Sequence, residues 1–382
     1  MKGPLSRIYI LSFFFTLCIS LTAYVNSSYL ATSFSETTIS ILFIIEAVFA
    51  IVLLDTVPTL IKHIGNKNTF FIASFFSVLG LFLLHGNVSP VSMAIGFILF
   101  LAANTVILFS IDVFIKHYSP VTAMGKSRGL FLLVINTAWI VSPFLSWWII
   151  GNKGFLTLYT LAALILSGVC VFALGNVSNF SEASYSHRSF FKSTKEVWAR
   201  FDLRVIIIVQ FFLQLFYAWM IVYTPLYLIS IRGFSYASLG IVFSIMLLPF
   251  ILLQLPLGIM ADRRYGEKEI MSVGFVIMSL STLIFAFNNH NQLWSFALIL
   301  FCTRIGAAMV EVMSETYFFK IIGEQEPGLI SLFRSISPLA YIVGMSVAII
   351  LLPIGGYTVL YSILALLLMI GALVSRYIHD TK

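Results

Sequence analysis

Apolar runs of about 20 residues, the length a helix needs to cross the hydrocarbon core of a bilayer, follow one another along almost the whole chain with only short polar breaks. Of its 382 residues 60% are hydrophobic and only 10% charged, so no polar shell is available to cover a water-soluble core. In lipid every backbone polar group must be satisfied within its own segment, and runs of this length therefore read as helices. The expected spans are 5–31, 37–61, 69–85, 91–115, 127–150, 155–175, 205–231, 236–261, 270–288, 293–319, 328–352 and 356–376.

The second half repeats the first. Arg7-Ile8 and Phe13-Phe14-Phe15 return as Arg204-Val205 and Phe211-Phe212; Gly65 and Lys67 return as Gly266 and Lys268; Ser110, Phe114 and Lys116 return as Ser314, Phe318 and Lys320. Two similar helical bundles are expected, residues 1–175 and 204–382, and one bundle rocking against the other is what alternating access to a central site requires. Between them, 176–203 is a polar cytoplasmic linker, rich in Ser and carrying Arg188, Lys192 and Lys195, whose composition cannot form a core. From roughly Lys192 to Phe201 it also has the pattern of a basic amphipathic helix lying on the membrane with Phe191, Val197, Trp198 and Phe201 turned toward the bilayer, beside the plainer reading of a solvated connector.

Lys and Arg collect in alternate loops. With the N-terminus inside, Lys62, Lys67, Lys116, Arg263, Arg264, Lys268, Lys320 and Arg334 are among the many that fall on the inner side, while Lys153 and Arg232 fall outside. The positive-inside rule then places both termini in the cytoplasm, and the net charge of +7 lies beside an anionic inner leaflet without any nucleic-acid partner. Cys18, Cys170 and Cys302 all fall within spans, against a disulfide framework or a Cys metal cluster. No metal or cofactor is expected. Without a Gly-x-x-x-x-Gly-Lys-Ser/Thr phosphate loop, ATP is not expected to act directly. The first span is too long for a typical signal peptide and its counterpart lies mid-chain, so cleavage is not expected.

The segment Gly258-Ile-Met-Ala-Asp262-Arg263-Arg264-Tyr265-Gly266-Glu267-Lys268 directly follows the eighth span. It resembles the signature loop of the major facilitator superfamily, Gly-x-x-x-Asp-Arg-x-Gly-Arg-Arg/Lys, with one extra residue between Arg263 and Gly266. With the span count, the repeat and the basic linker, the resemblance covers essentially the whole chain. It implies an all-α membrane protein of twelve transmembrane helices in two six-helix pseudo-symmetric bundles, a transporter and not an enzyme. An acid and several bases at the inner mouth can pair with helix ends and charges of the other bundle. Gly258, Asp262, Arg263, Gly266 and Lys268 are thus expected to form a cytoplasmic gate, Glu315 pairing with Arg263 or Lys268, and Asp112 with Lys62 or Lys67. The first-half loop departs from the pattern: Val57, Ile61 and Lys62 stand at the Gly, Asp and Arg positions. Ser142-Pro143 stands where antiporters of the superfamily carry Gly-Pro.

Charges inside spans are expensive and are functional candidates by default. Arg304, Glu311 and Glu315 share one face of span ten, and the resemblance implies that spans one, four, seven and ten line the central cavity. Glu46, in span two, is the other isolated acid. Glu46 or Glu311, with Arg304 nearby, is expected to exchange a proton and couple it to conformational change; a structural ion pair of Arg304 with one of these acids is the equal alternative. Polar stripes at helical spacing, Gln210, Gln214 and Tyr217 in span seven and Thr16, Ser20, Tyr24 and Ser27 in span one, join Asn104, Asn136 and Tyr341 as candidate cavity residues. Such groups bind a hydroxylated or amide-bearing solute, or glue helices together. Trp139, Trp219 and Tyr223 offer faces for a ring or a cation.

The expected function is secondary active, proton-coupled transport of a small organic solute by alternating access, by a monomer in a bacterial inner membrane, with a lean to efflux of amphipathic or cationic compounds. Uptake of a sugar or nucleoside, and a non-transporting receptor or assembly factor on the same scaffold, stay open as alternatives.

Overall fold

Helix is the only regular element among the described residues of this computed structural model, which are 4–85, 89–119, 124–181, 190–263, 266–322 and 327–379. In order these are α1 (Pro4–Ala23), α2 (Asn26–Leu30), α3 (Glu36–Ile64), α4 (Asn66–Leu84), α5 (Pro90–Tyr118), α6 (Met124–Asn176), α7 (Phe190–Ala199), α8 (Phe201–Leu226) continued by a π-helical turn (Tyr227–Ile231), α9 (Tyr236–Arg263), α10 (Glu267–Phe287), α11 (Leu293–Ile322) and α12 (Pro327–Ser375). Among the described residues ten helices are long and apolar enough to cross a membrane, rather than the twelve expected.

The difference lies in α6 and α12. With 53 and 49 residues they would extend roughly 80 and 74 Å if straight, against a hydrocarbon core of about 30 Å. Each is interrupted by non-helical backbone, at Gly154 (φ 81°, ψ 174°) and at Gly356 (φ 62°, ψ −157°). These positive-φ residues fall where the sequence separates one span from the next. Other helix starts are set locally. The Ser35 hydroxyl accepts from the Thr38 amide to cap α3, and Ser235 does the same for Ser238 at α9, so the repeat extends to its caps.

The chain divides into two compact units, Met1–His187 and Arg188–Lys382. Within the first, α1 packs on α6, α4 on α5 and α6, and α3 on α5; within the second, α8 packs on α12, α10 on α11 and α12, and α9 on α11. The two sets of pairings are the same under the repeat. Two further devices recur. Tyr29 packs against the rings of Phe155 and Tyr159 in the first unit, as Tyr227 does against Tyr357 and Tyr361 in the second. Glycines let α4 approach α5 through Gly80 and Gly96, and α10 approach α11 through Gly274 and Gly306, where an added Cβ at Gly80 would meet the Gly96 carbonyl at 2.7 Å and one at Gly274 the Gly306 carbonyl at 2.8 Å.

The polar segment after α6 begins as part of the first unit. Asn179 accepts from the Lys67 amide at 3.0 Å and donates to the Ile64 carbonyl at 3.2 Å, while the Asn66 amide donates to the Phe180 carbonyl at 2.9 Å. His117 stacks on Phe180 with centroids 3.7 Å apart. Its later part forms α7, which packs on α8 and α12 through a buried Val197. Val197 is turned onto the protein and Trp198, about 100° further round the helix, away from it; Trp198 and Phe201 are exposed on the protein surface. The side chain of Phe191 lies outside the described residues.

Candidate functional site

The second unit assembles the predicted acid and base of α11 around one tyrosine of α8. Arg304 is fully buried, 0% exposed, with its guanidinium over the rings of Phe216 (4.8 Å) and Tyr217 (5.5 Å). A desolvated cation held over aromatic faces gains more than an exposed one. The Tyr217 hydroxyl donates to the Glu311 carboxylate at 2.5 Å. Arg304 and Glu311 stand seven residues apart, about 10 Å along a helix. Tyr217 bridges that rise, its ring against the cation and its hydroxyl on the acid.

One turn further, the Ser314 hydroxyl donates to Gln210 Oε1 at 3.0 Å, tying α11 to α8. Gln214 and Tyr341 are half-buried on α8 and α12. Glu315 accepts from Arg334, in the first turns of α12, at 2.9 Å, a partner that the sequence reading did not name. Lys268 lies 3.8 Å from its own neighbour Glu269. Gly266 caps the start of α10. Gly258, Asp262 and Arg263 close α9, and their side chains lie outside the described residues.

In the first unit Glu46 is half-buried on the stripe of α3 that also carries Phe43 and Ala50, and Phe43 meets Phe97 of α5 edge-on at 4.8 Å. Among the described residues no hydrogen bond or ion pair reaches its carboxylate. Asp112 is half-buried on α5. Asn104 accepts from the Ser77 hydroxyl at 2.9 Å, Ser20 lies on the Ala138 carbonyl at 3.4 Å, and Tyr24 packs edge-on against Trp139. These three act as links between helices of the first unit. Trp219 and Tyr223 are fully buried in the second, with Trp219 Nε1 donating to the Gly344 carbonyl at 2.8 Å. Neither presents a free face.

The pair that sequence reasoning missed is Glu267 with Lys320. The Glu267 side chain is 0% exposed and accepts from Lys320 Nζ at 2.6 Å, joining the start of α10 to the end of α11. The repeat held the signal. At the matching place in the first unit stands Asn66, which donates to the Ser110 carbonyl at 2.9 Å across α4 and α5. The second copy thus exchanges an amide tie for a charged one.

The family model described as Major Facilitator Superfamily matches residues 206–382. No curated protein sequence matches the chain. Among solved structures, a mutant of the nucleoside transporter NupG is similar at a TM-score of 0.81 and 14% identity, covering 99% of this chain and 100% of that one. A POT family transporter in complex with a thioalcohol-conjugated peptide is similar at 0.78 and 13%, covering 97% and 94%. A POT family transporter in complex with 5-aminolevulinic acid is similar at 0.79 and 14%, covering 99% and 96%. At these identities the likeness is one of fold.

Proposed function

We propose that this chain, whose residues 206–382 match the Major Facilitator Superfamily model, is a secondary transporter whose bundles, 1–175 and 204–382, alternate access to a central site. α6 and α12 each count as two spans on this reading, divided at Gly154 and Gly356, which gives twelve. Both termini lie in the cytoplasm, beside the excess of Lys and Arg, of what we take to be a bacterial inner membrane, and the protein acts as a monomer.

The observation that carries the reading is the hydroxyl of Tyr217 on the carboxylate of Glu311, beneath a buried Arg304. An acid within a span that can trade a tyrosine hydroxyl for a proton or a solute group is suited to coupling, and Glu311 is proposed as the proton-exchanging residue, ahead of Glu46. The substrate class proposed is a small polar solute with hydroxyl and amide groups, in the manner of a nucleoside. Gln214, Tyr217 and Tyr341 retain exposed surface to meet it. The lean toward efflux of flat cations loses two of its three aromatic faces, since Trp219 and Tyr223 belong to the core. That relatives in fold are named for nucleosides and peptides accords with a polar cargo.

The test is proton flux from proteoliposomes under an imposed pH gradient, on adding pooled nucleosides, sugars, amino acids or lipophilic cations. Flux triggered by a polar pool, and lost in Glu311→Gln with solute exchange retained, is the expected result. Flux triggered only by lipophilic cations would return the efflux reading. A receptor on this scaffold would give no flux, and Lys62→Cys, Gly328→Cys, Thr32→Cys and His290→Cys would show fixed instead of reciprocal accessibility.

A further inference from the structure

We propose that the end of the second unit where α8 and α10 begin and α12 finishes binds the phosphate of an anionic phospholipid headgroup. An open recess of about 770 Å³ lies there, lined by Phe201, Lys268, Arg376, Tyr377, Ile378 and His379. Lys268 and Arg376 bring two cations, and His379 a ring that can donate. The turn carrying the last of these is held in place. His379 Nδ1 lies 2.9 Å from Asp202 Oδ1, the Tyr317 hydroxyl donates to the His379 carbonyl at 2.9 Å, and Ile378 is buried beneath. Arg376 itself is exposed, and among the described residues its guanidinium has no partner. A fixed turn that presents an uncommitted guanidinium beside a lysine suits a phosphate, whose oxygens accept the two parallel N–H groups of Arg.

The surroundings favour a lipid over a free anion. Tyr377 is 66% exposed, and Phe201, which lines the same recess, is exposed as well. Aromatic side chains at the ends of spanning helices sit at headgroup level. Asp202 Oδ1 lies 2.9 Å from His379 Nδ1, and Glu269 lies 3.8 Å from Lys268, so each nearby acid is already engaged. The site is separate from Tyr217 and Glu311, and it stands whether or not the proposed substrate is right.

The experiment is native mass spectrometry of the purified full chain, titrated with phosphatidylglycerol against phosphatidylcholine, repeated with inorganic phosphate as competitor. The unaltered protein should retain phosphatidylglycerol preferentially. Arg376→Gln should weaken that preference about fivefold, the effect of one basic residue near an anionic surface, with Arg376→Lys recovering part of it. Lys153→Gln, which removes a charge in the other unit, should leave it unchanged. Equal losses in Lys153→Gln and Arg376→Gln would overturn the proposal, as would the absence of any preference. Displacement of the lipid by millimolar inorganic phosphate would overturn the lipid assignment in favour of a soluble phosphate. Thermal melts of each variant separate loss of binding from loss of fold.

Discussion

Removing the ammonium of Lys320 should destabilise the second unit more than removing the charge of Glu267. The pair is asymmetric: the Glu267 side chain is 0% exposed and that of Lys320 39%, with 2.6 Å between Nζ and Oε1. At an effective dielectric of about 20 their attraction is roughly 6 kcal/mol, most of it offset by the desolvation of the carboxylate. Lys320→Met leaves that carboxylate in place with its cation gone. Stranding one partner of a buried pair costs about 3–5 kcal/mol, and about 3 is expected here because the Lys320 side chain is 39% exposed, so that shortening it opens a path for water to the carboxylate. Glu267→Gln leaves a lysine that can reach water and an amide oxygen that still accepts from it, so the cost should be about 1 kcal/mol. The double change Lys320→Met with Glu267→Leu should recover most of the loss, since an apolar pair of similar volume is often no worse than the ions. Melts of the detergent-solubilised protein, followed by tryptophan fluorescence, should shift by roughly 2–4 °C per kcal/mol for a unit of this size. The expected losses are then about 6–12 °C for Lys320→Met and about 2–4 °C for Glu267→Gln. Equal shifts, or a double variant whose loss is the sum of its parts, would refute the reasoning.

Gly306→Ala should lower the melting temperature through overpacking of about 1–3 kcal/mol, because its new methyl would meet the Gly274 carbonyl and Met278 Cγ, whereas Gly168→Ala, with nothing within 4 Å, should be neutral or stabilising. Trp219→Phe should cost about 1 kcal/mol for the bond to the Gly344 carbonyl without altering substrate affinity; a large change in affinity would mean that Trp219 meets the solute. Asn179→Ala should speed hydrogen exchange at the Lys67 amide, which it caps at 3.0 Å; unaltered protection would show that the amide is held from elsewhere.

The spans were legible because a run of about 20 apolar residues has few other uses, and so were the breaks in α6 and α12, which fall at glycines between runs. What stayed hidden is which side of a helix faces protein. A lipid-facing phenylalanine and a core phenylalanine read alike, so Trp219 and Tyr223 looked like cavity walls when they are core. The Tyr29 and Tyr227 clusters were hidden for another reason: each draws on helices more than 100 residues apart in sequence. Within α11 the shared face of Arg304, Glu311 and Glu315 could be read from spacing. Their partners Tyr217 and Arg334 could not, because a short list of polar residues on facing helices does not say which will meet. Glu315 went to Arg334 for that reason.

The tie between Asn179, Phe180 and the turn at Gly65 bears on where this polypeptide can be cut. A two-piece version divided at 176, where composition changes, would leave the Lys67 amide and the Ile64 carbonyl without their side-chain cap and His117 without its stacking ring. Divided at 187, the first fragment keeps those contacts and the second keeps α7. Co-expressed halves should therefore reassemble from the later cut and fail, or lose yield, from the earlier one, and fusion partners inserted into this loop belong on the same side of that line.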